Sequence, residues 1–114
     1  MENNYNGAKF DQGKARHDLV LPEFEDAIAQ VLTFGAEKYA AHSWKTVPDL
    51  RSRYYSALRR HLNAWRAGED VDPESGLKHL AHAACNIYFL LQWELEVDKA
   101  VGNQVMPCIN QLKP

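Results

Sequence analysis

The spacing of hydrophobic residues along the chain predicts helices. From Glu23 to Lys38, apolar residues recur every three or four positions and polar residues form the opposite stripe, which is the pattern of an amphipathic helix. Pro22 is a residue type favoured in a first helical turn and predicts where this helix begins. A second helix is expected from about Arg51 to Ala67, with Gly68 ending it. Residues 39–52 lack periodicity and are predicted to form a long loop, a kind of segment that is often functional.

A third predicted helix is apolar around most of its circumference. Asp72 suits an N-cap, Pro73 the first helical position and Glu74 the acidic first turn, so the helix is expected to begin there and to run to about Asp98. Such a broad apolar surface is typical of burial on several sides and is compatible with packing against another subunit.

The pattern as a whole predicts an all-α fold. No run of alternating apolar and polar residues suggests a strand. The expected architecture is a small helical bundle around a central helix hairpin, in a single domain that spans residues 1–114. Residues 1–20 are predicted to be an irregular arm and residues 100–114 a tail.

The composition of the chain argues against some classes of function. A formal net charge of −2 and a pI near 6.2 argue against a general binder of nucleic-acid polymers, which needs a basic face. The chain has neither a signal-peptide pattern nor an apolar run of about 18 residues, so we expect no membrane span and a cytoplasmic location. Cys85 and Cys108 have no framework spacing and are predicted to be reduced thiols.

Five polar side chains interrupt the apolar pattern of the predicted hairpin. His79, His82 and Asn86 fall within an arc of about 60° on the third helix, and Ser75 extends the same line. His61 projects from the apolar side of the preceding helix. Helices joined by a short loop tend to pack antiparallel, so the three histidines are expected to converge.

Two interpretations of this convergence remain open. Burying imidazoles and an amide without hydrogen bonds costs roughly a few kcal/mol each, so the groups could simply satisfy one another in a polar core. They could instead form a site for a divalent metal and phosphate, because imidazole and carboxylate ligate ions that activate water. The loop at the end of the hairpin supplies carboxylates as well, among them Glu69, Asp72 and Glu74.

Charges of both signs also alternate in the N-terminal arm. The run KFDQGKARHD is either a solvated segment or an arm whose Lys14 and Arg16 hold phosphate oxygens. Aromatic side chains could provide a stacking surface for a base, although each is more often part of a core. The candidates for stacking are Tyr39, Trp44 and Trp65.

Three ordered runs carry a family resemblance. These are KFDQGKARHDLVLP, VLTFGAEKYAAHSW and RYYSALRRHLNAWRAGEDVDPESGLKHLAHAACNIYFLL. Over roughly residues 8–91 the chain resembles the phage dATP/dGTP diphosphohydrolases of the MazZ type, which are grouped with the MazG-like all-α nucleoside triphosphate pyrophosphatases. The resemblance implies a homodimer or homotetramer, a Mg²⁺ or Mn²⁺ cofactor, and cleavage of a nucleoside triphosphate between its α- and β-phosphates. If the chain is phage-encoded, it would act in the host cytoplasm.

The chain departs from the MazG-like pattern at the expected metal ligands. MazG-like enzymes usually carry an ExxE and an ExxD motif, whereas here histidines stand where those carboxylates are expected. Mg²⁺ prefers oxygen ligands, so a site rich in imidazole favours Mn²⁺ or another transition ion.

Together these observations predict hydrolysis of nucleoside triphosphates, with dATP and dGTP as the expected substrates, to a monophosphate and pyrophosphate. The alternative is a phage module that binds a nucleotide or a host protein without catalysis. Glu69 or Glu74 would orient the attacking water. The predicted metal ligands are His61, Glu74, His79 and His82. The predicted substrate contacts are Lys14, Arg16, Asp18, Lys38, Tyr39, Trp44, Arg59, Arg60, Trp65 and Asn86.

Overall fold

Three helices make up most of the computed structural model, which describes residues 13–102. Within that range the only pairing of extended backbone is an isolated bridge between Val71 and Lys78, so the predicted all-α class is confirmed. The helices are α1 (Pro22–Lys38), α2 (Leu50–Arg66) and α3 (His79–Val101), with short 3₁₀ turns at His17–Leu19 and Ser43–Thr46.

Helix α1 begins where its sequence predicts. Pro22 lies in the first turn, where its missing N–H costs no hydrogen bond, and Leu21 before it is extended. Glu23 and Glu25 in the first turn and Lys38 in the last turn are favourably placed with respect to the helix dipole.

Helices α2 and α3 share the largest interface, and α1 packs on α3. The predicted central hairpin is therefore confirmed. Val31 of α1, Leu50 of α2 and Ala83 and Cys85 of α3 are buried between the helices. Burial raises the pKa of the Cys85 thiol to about 12, and this cysteine is free, as predicted.

The predicted start of the third helix is wrong. Residues 72–75 form a turn, and α3 begins only at His79. One carboxylate oxygen of Asp72 accepts hydrogen bonds from the backbone N–H groups of Glu74, at 2.7 Å, and Ser75, at 3.1 Å. Gly76 then adopts a left-handed φ of 74°, which closes the turn and allows the bridge that precedes α3. A residue that favours helix N-caps here caps a non-helical turn instead.

The ends of the chain are described only in part. Residues 13–20 of the predicted arm are irregular apart from the His17–Leu19 turn, and α3 continues into the predicted tail as far as Val101. Residues 1–12 and 103–114, including Cys108, lie outside the described residues. Among residues 13–102, none of the helices is long and apolar enough to cross a membrane.

Candidate functional site

Three imidazoles meet where α2 ends and α3 begins. Nδ1 of His61 lies 2.9 Å from Nδ1 of His79, and the ring of His61 stacks on that of His82 with centroids 4.6 Å apart and an interplanar angle of 8°. His79 is buried, with 4% of its surface exposed. The structure thus brings together the histidines that helical spacing predicted to converge.

Asp72 completes this cluster on the loop side. Its Oδ2 atom lies 3.8 Å from Nδ1 of His61, and one ligand atom each from His61, Asp72 and His79 lie within 4.8 Å of one another. Burial alone would raise the pKa of Asp72, but the two backbone N–H donors and the nearby imidazoles hold it below its ordinary value. The carboxylate is therefore ionised at neutral pH. We call His61, Asp72 and His79 the ligand cluster.

Sequence reasoning placed Asp72 on the correct loop but assigned it to a helix cap. The signal that could have identified it is its place among the carboxylates of the loop that precedes the histidines of α3. Choosing one of these carboxylates requires the path of the loop, which spacing along the sequence does not give.

Glu69 is not part of the ligand cluster but hydrogen-bonds to one of its members, His79. Its Oε1 atom accepts a hydrogen bond from Nε2 of His79 at 2.7 Å, while Nδ1 of the same ring faces His61. With the proton on Nε2, the Nδ1 lone pair of His79 is directed into the cluster. A carboxylate behind a histidine fixes ring orientation and tautomer in this way in many metal sites.

His82 has different surroundings from those of the other two histidines. Its Nε2 atom lies 2.7 Å from Oγ of Ser75, and the edge of the Phe34 ring packs against it at a centroid distance of 6.4 Å. Burial lowers the pKa of His82, and it also lowers the pKa of His61. Both rings are therefore neutral at pH 7, the form in which imidazole can accept a hydrogen bond or bind a metal.

Glu74 lies away from the ligand cluster. Its carboxylate pairs with the ammonium of Lys38, at the end of α1, and 62% of its side chain is exposed. The hydrogen bond that Lys38 donates to Glu74 raises the pKa of Lys38, so this lysine is cationic. The pair joins α1 to the loop that carries Asp72.

A cavity of about 830 Å³ opens beside the cluster. This volume is within the range of roughly 300–1,000 Å³ typical of small-molecule sites. It is enclosed by the end of α1, residues 39–47, α2 and α3, and His82 lies in its wall. Among residues 13–102, three cationic side chains line it: Lys38, Arg53 and Arg60. Its aromatic lining comprises Phe34, Tyr39, Trp44, Tyr54, Tyr88 and Phe89.

Comparison with known proteins agrees with the sequence resemblance. Residues 4–102 match the family model described as dATP/dGTP diphosphohydrolase, N-terminal. The chain belongs to this family. It is similar to a curated protein of Salmonella phage PMBT28 named dATP/dGTP diphosphohydrolase, with 39% identity over 84 residues. That match covers 74% of this chain but only 28% of the relative, so the chain spans less than a third of the relative's length. No solved structure matches the chain.

Several residues predicted to contact substrate line the cavity of this family member, and others do not. Lys38, Tyr39, Trp44 and Arg60 are in its wall. Trp44 is only 8% exposed and stacks on Phe89 at 4.8 Å, so one face of its ring is already covered.

The remaining predicted contacts lie elsewhere among residues 13–102. Arg59 donates a hydrogen bond to the Tyr55 hydroxyl, and neither it nor the half-exposed Trp65 lines the cavity. Buried Asn86 donates to the backbone carbonyl of His82. Arg16 pairs with Asp18 at 2.7 Å on the surface, and Lys14 is also exposed.

Arg53 is a cavity residue that sequence reasoning missed. It lies seven positions before Arg60, and Ala57 between them also lines the cavity. Spacings of four and three place these residues on one face of α2. This periodicity was available in the sequence, but the direction of that face depends on how α1 packs.

The donor set of the ligand cluster fits a divalent transition metal. Two imidazole nitrogens and one carboxylate oxygen are ligands typical of Mn²⁺, Fe²⁺ or Zn²⁺ and less typical of Mg²⁺. Adjacent nitrogens that bind one ion at about 2.1 Å are about 3 Å apart, close to the observed separation of 2.9 Å between the two Nδ1 atoms.

Proposed function

We propose that this chain carries out metal-dependent hydrolysis of deoxynucleoside triphosphates, with dATP and dGTP as substrates, to the monophosphate and pyrophosphate. The observation that carries the proposal is the ligand cluster of His61, Asp72 and His79 beside a cavity with three cationic side chains. The base preference is suggested by the name of the phage relative.

The proposed metal ligands are Nδ1 of His61, Nδ1 of His79 and the carboxylate of Asp72. Glu69 holds His79 in the tautomer that binds metal. Asp72 thereby takes the place that the sequence suggested for Glu74. A divalent ion in this position would polarise phosphoryl oxygens and lower the pKa of a bound water.

The cationic wall of the cavity would bind the triphosphate. Lys38 offers an ammonium, and Arg53 and Arg60 offer planar guanidinium groups that can donate two hydrogen bonds to one phosphate. These charges neutralise the phosphate chain and stabilise the negative charge that develops on the leaving pyrophosphate.

The aromatic lining would receive the base. Tyr39 is 71% exposed and the Lys38 ammonium lies 5.3 Å from its ring centroid, so the ring would stack on a base without losing core packing. Trp44 and Phe89 already stack on each other and would form the fixed floor against which the base rests.

Glu74 is the carboxylate that we propose to orient the attacking water. It pairs with Lys38, which lines the cavity, whereas Glu69 is engaged with His79. A phosphate group that draws Lys38 towards itself would release Glu74 to accept a proton from water.

The direct experiment is to incubate the purified chain with each dNTP in the presence of Mg²⁺ or Mn²⁺ and to separate the products. We expect a dNMP and pyrophosphate, faster with Mn²⁺, and loss of turnover in Asp72→Asn. A matched control is Asp70→Asn, which removes an exposed carboxylate of the same loop that pairs with Lys78. Absence of turnover with every dNTP and metal would refute the proposal, and binding without turnover would favour a non-catalytic nucleotide-binding module.

We further propose that the chain self-associates through α3. Four large apolar side chains of this helix remain about half exposed and fall on one stripe. They are Leu80, Ile87, Leu91 and Leu95. An exposed apolar stripe that extends over four helical turns is characteristic of an interface, and a second copy of α3 offers a matching surface.

A further inference from the structure

His82 lies beside the ligand cluster but is oriented towards other partners. Its ring stacks parallel to that of His61, while its Nε2 atom lies 2.7 Å from the Ser75 hydroxyl. An imidazole whose Nε2 is engaged by a hydroxyl cannot use that nitrogen to bind a metal. His82 is therefore available for a role other than the metal ligation that its spacing predicted.

The hydrogen bonds of Ser75 favour one tautomer of His82. The Ser75 hydroxyl oxygen accepts the backbone N–H of Leu77 at 3.1 Å, and its own proton needs an acceptor. The Nε2 atom of His82 is the acceptor within reach among residues 13–102. A hydroxyl that donates to Nε2 leaves the proton of the neutral ring on Nδ1.

The protonated Nδ1 atom has no hydrogen-bond partner among the described residues, and the ring forms part of the cavity wall. Lys38 and Arg60 line the same cavity. A partly buried N–H group without an acceptor is costly, and a phosphate oxygen is an acceptor that this cavity is charged to receive.

We propose that His82, held by Ser75 in its Nδ1–H tautomer, donates a hydrogen bond from Nδ1 to a phosphate oxygen of the bound nucleotide. This inference rests on the proposed function for the identity of the ligand. His82 stays neutral and no proton is transferred. Ser75 is a positioning residue, because it acts only through the imidazole.

Two amide substitutions at position 82 separate the functions of the two ring nitrogens. The side-chain amide of Asn occupies the place of Nδ1, so His82→Asn keeps the proposed donor and loses the bond to Ser75. The longer His82→Gln reaches the place of Nε2, so it keeps the bond to Ser75 and loses the donor. The pair is matched in charge and polarity.

The measurement is calorimetric binding of α,β-methylene dATP in the presence of Mn²⁺, together with binding of Mn²⁺ alone. We expect His82→Gln to weaken binding of the analogue by about tenfold, as for loss of one hydrogen bond to a charged group, and His82→Asn to weaken it by less than about threefold. Mn²⁺ affinity should be unchanged in both variants. Equal weakening by both substitutions, or a loss of Mn²⁺ affinity in both, would overturn the inference.

Ser75 provides a second, independent test. Ser75→Ala removes the hydroxyl proton, so we expect analogue binding to weaken about threefold or more and Ser75→Thr, which keeps the hydroxyl, to restore it. Correlation of ring protons with ¹⁵N in the wild-type chain reports the tautomer directly. A proton on Nε2 of His82 would refute the inference even if the chain hydrolyses dNTPs. Binding of the analogue by a chain that turns over none of the natural dNTPs would refute only the proposed activity.

Discussion

At the scale of single residues, the site depends on how each ring nitrogen is used. The Nε2 atom of His79 is occupied by Glu69 and that of His82 by Ser75. The two facing Nδ1 atoms of His61 and His79 are left for the cluster. Three histidines that look equivalent in the sequence therefore have different chemistry, because each has different partners for its two nitrogens.

Glu69→Ala should weaken metal binding without removing any ligand of the cluster. Loss of the hydrogen bond to Nε2 frees the His79 ring to rotate and to change tautomer, and loss of such an outer partner typically costs about 10–100-fold in affinity. Titration calorimetry with Mn²⁺ measures the effect. Asp70→Asn, on the adjacent exposed carboxylate, should bind Mn²⁺ as the wild type does, and an equal loss in both variants would contradict the assignment.

Burial of His61 and His82 should make the chain less stable as the pH falls. Burial lowers the pKa of both rings in the folded state below the ordinary value of 6.5. Below that pH the unfolded chain binds more protons than the folded chain, so the free energy of unfolding decreases from pH 6.5 downward. Urea unfolding between pH 7.5 and 5.5, with a chelator present, measures this slope. His82→Gln should show a smaller slope, and a midpoint that rises with acidity would refute the prediction.

At the scale of elements, the loop between α2 and α3 decides where the site lies. Asp72 caps a turn through two backbone N–H groups, and Gly76 reverses the chain at a φ of 74°. The bridge between Val71 and Lys78 closes the loop. This turn places the Asp72 carboxylate beside the histidines, which a helix beginning at Pro73 would not do.

Gly76→Ala should destabilise the fold by about 1–2 kcal/mol, the cost of a left-handed backbone for a residue with a Cβ. A Cβ at this position would meet no atom within 4 Å, so the cost arises from the backbone and not from a clash. Gly35→Ala is the control, because that glycine lies inside α1 with equal space around it and the substitution should stabilise the chain by about 0.5–1 kcal/mol. Denaturant unfolding compares the two, and changes of the same sign would argue against this loop geometry.

At the scale of the whole molecule, the apolar surface of α3 exceeds what α1 and α2 cover. Ala83 and Cys85 are buried inside, whereas Ile87, Leu91 and Leu95 are each more than half exposed. The broad apolar pattern of the third helix predicted burial on several sides, and the elements within residues 13–102 bury only part of that surface. Self-association would cover the remainder.

Leu91→Glu should lower the oligomeric mass of the chain. A charge in the middle of the α3 stripe would be buried without a partner in the assembly. Burying an unpaired charge costs roughly a few kcal/mol, so association would be disfavoured by about that amount. Light scattering after size-exclusion chromatography measures the mass. Leu19→Glu, at a residue 68% exposed on the 3₁₀ turn, should leave it unchanged. Identical masses for wild type and Leu91→Glu would rule out this surface as the interface.

The sequence by itself determined the helices and the convergence of the histidines. Both follow from periodicity, since residues three or four apart share a face of a helix whatever surrounds it. The start of α1 at Pro22 is equally local. The packing of α2 on α3 was also predicted, although the connection between them, residues 67–78, is longer than the sequence suggested.

Only the tertiary structure decided which carboxylate and which cations face the site. Asp72 joins the cluster while Glu74 pairs with Lys38, and Arg53 and Arg60 line the cavity while Arg59 bonds to Tyr55. The physical reason is that a turn stabilised by side-chain hydrogen bonds competes with a helix at similar free energy. The environment that each face of a helix meets depends on the neighbouring element packed against it. No local sequence pattern in this chain predicts that packing.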